Sequence, residues 1–381
     1  MIASRPNKTT IENAAERLED EMAIEWEWDS IQGDFRTWFG EGAKRGASDL
    51  HLIADYPPML RTFGKLVPIE NVSLTEERIL DALRPIVTDE KLTRMASVKN
   101  CDLAIAVRFD EETIRLRINL FLSNGKVGAC IRFIPDQIPS FSWASFPEDI
   151  ARRLIEFPHG LVLFAGITGA GKSTSLAMII QRLNRQGGSR IVTIEDPIEY
   201  RFPVCPASLV TQREIGTDVE TFHDGLKYGL RQDPDVILVG EIRDQETAKM
   251  ALSAAETGHL VFSTLHTRDA KGAISRYADF FPQSVQNEVR SQLASSLRAV
   301  ICQRLIESVT PNEKQELALE ILFNNAPIGA AIRNGKLESV DNYILTGRNE
   351  GMVTMDESLR RLVAGGLVRK EVAELWMVDR S

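Results

Sequence analysis

The feature that most constrains this chain is the stretch Gly166-Ile167-Thr168-Gly169-Ala170-Gly171-Lys172-Ser173, which satisfies G-x-x-x-x-G-K-[ST]. An apolar run, Leu161 to Ala165, precedes it, and a segment with Leu176, Ile179, Ile180 and Leu183 on one helical face follows. A glycine-rich turn set between a buried strand and an amphipathic helix suits main-chain N–H groups wrapped around phosphate oxygens, at a helix end that carries about half a positive charge. The spacing therefore predicts a phosphate loop made of Gly166, Thr168, Gly169, Ala170, Gly171, Lys172, Ser173 and Thr174. In such a loop Lys172 meets the β and γ phosphates, Ser173 offers its hydroxyl to Mg²⁺, and Thr174 assists. ATP and Mg²⁺ are the ligands expected. The competing reading is a plain strand-to-helix turn with an exposed lysine.

Around this loop the apolar runs Leu161 to Ala165, Arg190 to Ile194, Val236 to Val239 and Leu260 to Ser263 alternate with helical patterns. Uninterrupted runs of this kind predict a largely parallel sheet covered on both faces. Glu241 follows the third run, at the C-terminal end of a strand expected beside the phosphate-loop strand, where it can hold Mg²⁺ through water or polarise the attacking water. Alternatively it caps the helix that begins near Asp244. The second run ends in Glu195-Asp196-Pro197-Ile198-Glu199, carboxylates pinned by a proline and suited to activating a water, or else ordinary loop acids. His259 and His266 bracket the fourth run and either sense the γ-phosphate or polarise a carboxylate, unless they are simply satisfied at a sheet edge. No Cys or third His lies near them in sequence, which argues against a metal role.

The remainder sets the frame. A chain of 381 residues predicts two or three domains. Residues 1–34 are acidic from Glu12 to Asp29 and read as a solvated extension. Residues 35–135 mix helical and alternating segments and read as a small α+β domain. Residues 136–147, with Pro139, Ser140 and Ser142, read as a linker, and residues 148–381 as an α/β domain whose part beyond Pro282 is mainly helical, with a hairpin-like pair at Gln303 to Glu307 and Leu317 to Leu322. A net charge of −9 is unfavourable for a protein that must neutralise phosphate backbones, so nucleic acid is not an expected partner. No apolar stretch reaches membrane-spanning length and no secretory signal is evident, so a cytoplasmic protein without direct membrane insertion is expected. The four cysteines are widely spaced and read as reduced, mostly core residues.

Four segments together resemble the secretion ATPases that power type IV pili and type II and type IV secretion, within the additional-strand RecA-like P-loop class. GITGAGKST resembles their Walker A box, TIEDPIEY their aspartate box, RQDPDVILVGEIRDQET their Walker B box and AAETGHLVFSTLHT their histidine box. The likeness runs from about Phe35 to the C-terminus and is greatest to pilus retraction motors of the PilT type. It extends to Gly46-Ala47-Ser48-Asp49-Leu50-His51-Leu52, Arg115-Leu116-Arg117-Ile118-Asn119, Arg132-Phe133-Ile134-Pro135 and Leu209-Val210-Thr211-Gln212-Arg213-Glu214. It implies a RecA-like ATPase core with a PAS-like N-terminal domain, a homohexameric ring, and peripheral attachment to an inner-membrane pilus or secretion platform protein. It also implies catalytic carboxylates at Glu199 and Glu241, with Lys172 and His266 at the nucleotide. Arg117 and Arg132 would reach the nucleotide from the N-terminal domain, with Arg115 a weaker candidate. Two departures stand out: the acidic extension, and a retraction motif only echoed by Ala331-Ile332-Arg333-Asn334. A DotB-like or TraJ-like secretion or conjugation ATPase is the alternative, and a RecA-like nucleic-acid translocase the more distant rival. The chain lacks the four-cysteine zinc site of the pilus assembly and type II motors.

Overall fold

The computed structural model describes residues 24–109, 112–134, 137–310 and 314–377. The chain divides into two units, Met1–Asp136 and Gln137–Ser381.

The first unit is built on a sheet of β1 (Ile24–Glu27), β2 (Asp49–Ile53), β3 (Met59–Thr62), β4 (Lys65–Pro68), β5 (Asn100–Phe109), β6 (Glu112–Ser123) and β7 (Lys126–Ile134), in the order β1-β5-β6-β7-β2-β3-β4. Neighbours pair antiparallel except β1 with β5. Two tight turns set the register. Asn124-Gly125 and Phe63-Gly64 all have positive φ, the conformation that matches a two-residue hairpin to the twist of its strands. Strand alternation then sorts the side chains. Leu116, Ile118 and Leu120 enter a core shared with Phe35, Trp38 and Phe39 of the helix Gly33–Lys44, while Arg115, Arg117 and Asn119 take the opposite face.

The acidic extension differs from expectation in its described part. Ile24-Glu25-Trp26-Glu27 is an edge strand that pairs with β5, Ile31 is fully buried, and the Trp28 ring lies 5.3 Å from that of Phe39. The short apolar/acidic alternation there was masked by the acidic composition around it. Residues 1–23 lie outside the described residues.

The second unit holds β8 (Gly160–Ala165), β9 (Arg190–Glu195), β10 (Leu209–Glu214), β11 (Val236–Val239), β12 (Leu260–Leu265), β13 (Leu297–Glu307) and β14 (Gln315–Phe323), in the order β10-β9-β11-β12-β8-β13-β14. All pairs are parallel except the β13/β14 hairpin. Every residue of β8, β11 and β12 is buried, as expected for a sheet covered on both faces. The hairpin is longer than the pattern suggested, because an apolar run such as Leu297 to Ile301 does not by itself separate buried strand from buried helix. The expected linker also differs at its end: Phe146 is buried with its ring 6.5 Å from that of Phe164, so this segment joins the core of the second unit. Among the described residues no helix is long and apolar enough to cross a membrane.

Candidate active site

Strand β8 delivers the chain into the phosphate loop, where Gly166, Gly169 and Gly171 have φ of 150, 78 and 81°. A Cβ on Gly166 would stand 2.7 Å from the main-chain oxygen of Gln303 on β13, so the loop leaves β8 with no room for a side chain there. Gly171 turns left-handed to start the helix Lys172–Gln186, whose first turn has no acid to offset its N-terminal charge. Lys172 is buried, and its Nζ donates to the carbonyls of Gly166 (2.8 Å) and Ile167 (3.1 Å). Burial lowers its pKa, while the charges of Glu241 and Glu199 push it back up. Both predicted carboxylates therefore act electrostatically on the loop lysine. Ser173 is exposed on the first helical turn. Thr174 turns elsewhere: its Oγ1 lies 3.0 Å from the Tyr200 hydroxyl, tying the helix to the carboxylate-bearing loop.

The expectation that the Glu241 strand adjoins the phosphate-loop strand is corrected. Strand β12 lies between β11 and β8. The same arrangement places His259 and His266 at the two ends of a central strand and not at a sheet edge. His259 Nδ1 is 3.0 Å from the Ala254 carbonyl at the end remote from the loop. His266 is different. Its Nε2 lies 3.3 Å from Glu241 Oε2, and its pKa is lowered first by burial and then by the Lys172 charge, against the pull of Glu241. Glu241 does not cap the following helix, because Asp244 does so by accepting the Thr247 N–H at 2.8 Å. Glu241 Oε1 is instead paired with Arg243 at 2.5 Å. Thr264 links the two strands here by donating to the Gly240 carbonyl at 2.8 Å. A cleft of about 400 Å³ opens over this end of the sheet, lined in part by Glu241, Arg243, His266, Arg276 and Phe280.

Glu199 is half-buried in the loop after β9, which passes through a cis Asp196-Pro197 bond. Glu195 at its start is held by Thr193 (2.6 Å) and Gln212 (3.1 Å), and burial raises its pKa. Arg117 and Arg132 belong to the first unit, opposite one another in the β6–β7 ladder. Arg132 pairs with the buried Asp49 at 3.1 Å. Sequence reasoning missed three contributors. Arg243 was visible only as part of a motif. Gln303 is buried beneath the phosphate loop and donates to Ser175 at 2.9 Å, and Gln212 comes from an edge strand.

A phosphate loop at the end of a central parallel strand, with an extra strand between it and the strand bearing the acid, defines a RecA-like P-loop ATPase of the additional-strand class. Residues 38–369 match the family described as "Type II/IV secretion system protein", and the chain belongs to that family. It is 40% identical over 331 residues to the type IV pilus retraction ATPase PilT of Pseudomonas aeruginosa, covering 87% of this chain and 94% of that one. It is similar to the crystal structure of the pilus retraction motor PilT with bound ADP, with a TM-score of 0.76 and 36% identity over 91% of this chain and 98% of the other. The ATPase DotB of Legionella pneumophila is also similar, with a TM-score of 0.78 and 25% identity over 98% and 97% of the two chains.

Proposed function

We propose that the protein is a homohexameric, Mg²⁺-dependent ATPase motor of type IV pilus retraction, acting in the cytoplasm on a platform protein of the inner membrane. The observation that carries this reading is the buried Lys172 amine, parked on carbonyls of its own loop with Glu199 and Glu241 in electrostatic reach. Phosphate oxygens would take over the hydrogen bonds that the amine now gives these carbonyls. The donor set also suits Mg²⁺, which accepts few protein ligands and keeps phosphate oxygens and waters. Ser173 and Glu241 would hold it, and among the described residues the nearest ion-pair partner of Glu241 Oε2 is His266 Nε2 at 3.3 Å, outside the alignment of a hydrogen bond. When bound, the ion neutralises part of the charge on the phosphates.

The chain's own residues do the rest. Lys172 exchanges its carbonyl partners for γ-phosphate oxygens and stabilises the charge that spreads over them during transfer. Glu199 accepts the proton of the attacking water, and Glu241 orients that water from the end of β11. Arg117 and Arg132, from an N-terminal domain in the ring, meet the transition-state charge. Turnover then alters the angle between the two domains. Similarity to PilT in sequence and structure supports assignment to pili. The DotB likeness keeps a secretion ATPase as the second reading.

The test is complementation. Expressed in a piliated strain that lacks its own retraction ATPase, the protein restores twitching, and the Lys172→Ala variant does not. Failure of the wild-type protein, expressed and active in phosphate release, would favour the secretion reading. Stimulation of turnover by single-stranded DNA at physiological salt would instead favour a translocase.

A further inference from the structure

Strand β10 carries Thr211-Gln212-Arg213-Glu214, a run to which the proposed chemistry assigns no step. Among the described residues it is the edge strand of its sheet, paired with β9 alone. Two of its side chains reach the loop that bears Glu199. The Gln212 amide nitrogen donates to Glu195 Oε1 (3.1 Å) and to the Tyr200 carbonyl (2.8 Å), and its oxygen accepts the Phe202 N–H (2.9 Å). Glu214 Oε2 accepts the Ile198 N–H at 2.8 Å. The loop is thus held at residues 195, 198, 200 and 202, on both sides of Glu199. Tyr200 extends the chain of contacts to Thr174 on the phosphate-loop helix.

From this geometry we propose that Gln212 is a positioning residue that fixes the Glu199 carboxylate relative to the phosphate loop. The proposal rests on the reading of Glu199 as the catalytic carboxylate. The loop is irregular, and its N–H and C=O groups need partners that no ladder supplies. An amide offers donors and an acceptor together, so one side chain satisfies a carboxylate, a carbonyl and an N–H. A glutamate there would keep only the acceptor and would set a second carboxylate against Glu195. A leucine would keep the volume and lose every bond.

The experiment compares Gln212→Leu and Gln212→Glu with the wild-type protein in phosphate release, and measures affinity for a fluorescent ADP analogue. Because a displacement of about 1 Å in a reacting group can cost about 10²-fold, kcat should fall by about 10-fold or more while nucleotide affinity stays within about twofold. The readout that separates positioning from mere stability is the Glu199→Gln background. There, adding Gln212→Leu should change the residual rate by no more than about twofold, since both substitutions act through one carboxylate. Unchanged kcat in the single variants would overturn the proposal, and so would an equal loss in both backgrounds. Loss of nucleotide binding in both variants would also overturn it, by making Gln212 a requirement of the domain and not of the carboxylate. Near-normal turnover of Glu199→Gln alone would instead remove the reading of Glu199, a distinct outcome.

Discussion

At the scale of single residues, the site is a balance of charges around one lysine. Removing that charge in Lys172→Ala should abolish ATP hydrolysis, whereas Glu241→Gln should keep nucleotide bound and slow turnover by roughly 10²-fold or more, as read by phosphate release alongside nucleotide binding. Retained activity in either variant would contradict the role of the residue replaced. A second titratable group lies away from the chemistry. Glu320 on β14 is buried and accepts the Ala270 N–H at 2.7 Å; burial raises its pKa to about 7, with the charges of Asp269 and Asp341 adding to the rise. Below an ordinary carboxyl pKa both folded and unfolded states hold the proton, and the site costs nothing. As pH climbs toward 7 the unfolded chain ionises first, so folding stability should fall over this window by at most about 3 kcal/mol. Glu320→Gln should flatten that slope in melting curves taken between pH 5 and pH 8. An unaltered slope would show that Glu320 does not titrate in this window.

Elements carry these residues to their places, and they differ in how openly the sequence announces them. The phosphate loop was legible because its chemistry depends on spacing within one segment. Glu199, Glu241 and His266 were legible as acids and a base at strand ends, but the contact of His266 with Glu241 was not, since it follows from strand order. Strand β10 has half-exposed residues with no strong alternation, so Gln212 gave no signal beyond its motif. Glu25 and Glu27 hid the edge strand around Trp26 in the same way. One contact between elements is a sensitive test of the packing beneath the site. Gly225, on the helix Phe222–Gly229, leaves no room for a methyl group: a Cβ there would lie 2.7 Å from Cγ2 of the fully buried Ile194, next to Glu195. Gly225→Ala should therefore cost about 1–3 kcal/mol of stability in denaturant titrations. A neutral effect would mean that the helix can shift freely from β9.

For the whole molecule, the central expectation is a site completed between subunits. A ring built only from Arg117→Ala subunits should bind ATP and hydrolyse it on the order of 10³-fold more slowly. Arg117 is the cleaner choice, because Arg132→Ala would also strip Asp49 of its ion-pair partner. Mixing Arg117→Ala with Glu241→Gln subunits should recover part of the activity, since some interfaces then hold both intact groups. Mixed rings no more active than either parent would rule out an arginine acting in trans. The sheet itself sets a further dimension of the site. Glu241 leaves β11 and the phosphate loop leaves β8, with β12 between them. At about 4.8 Å per strand this separates the two strand ends by roughly 10 Å. With one strand interposed, the gap has the breadth of a phosphoryl group and its attacking water. β12 is therefore a spacer, and the breadth of the gap between Glu241 and the phosphate loop is built into the order of the strands.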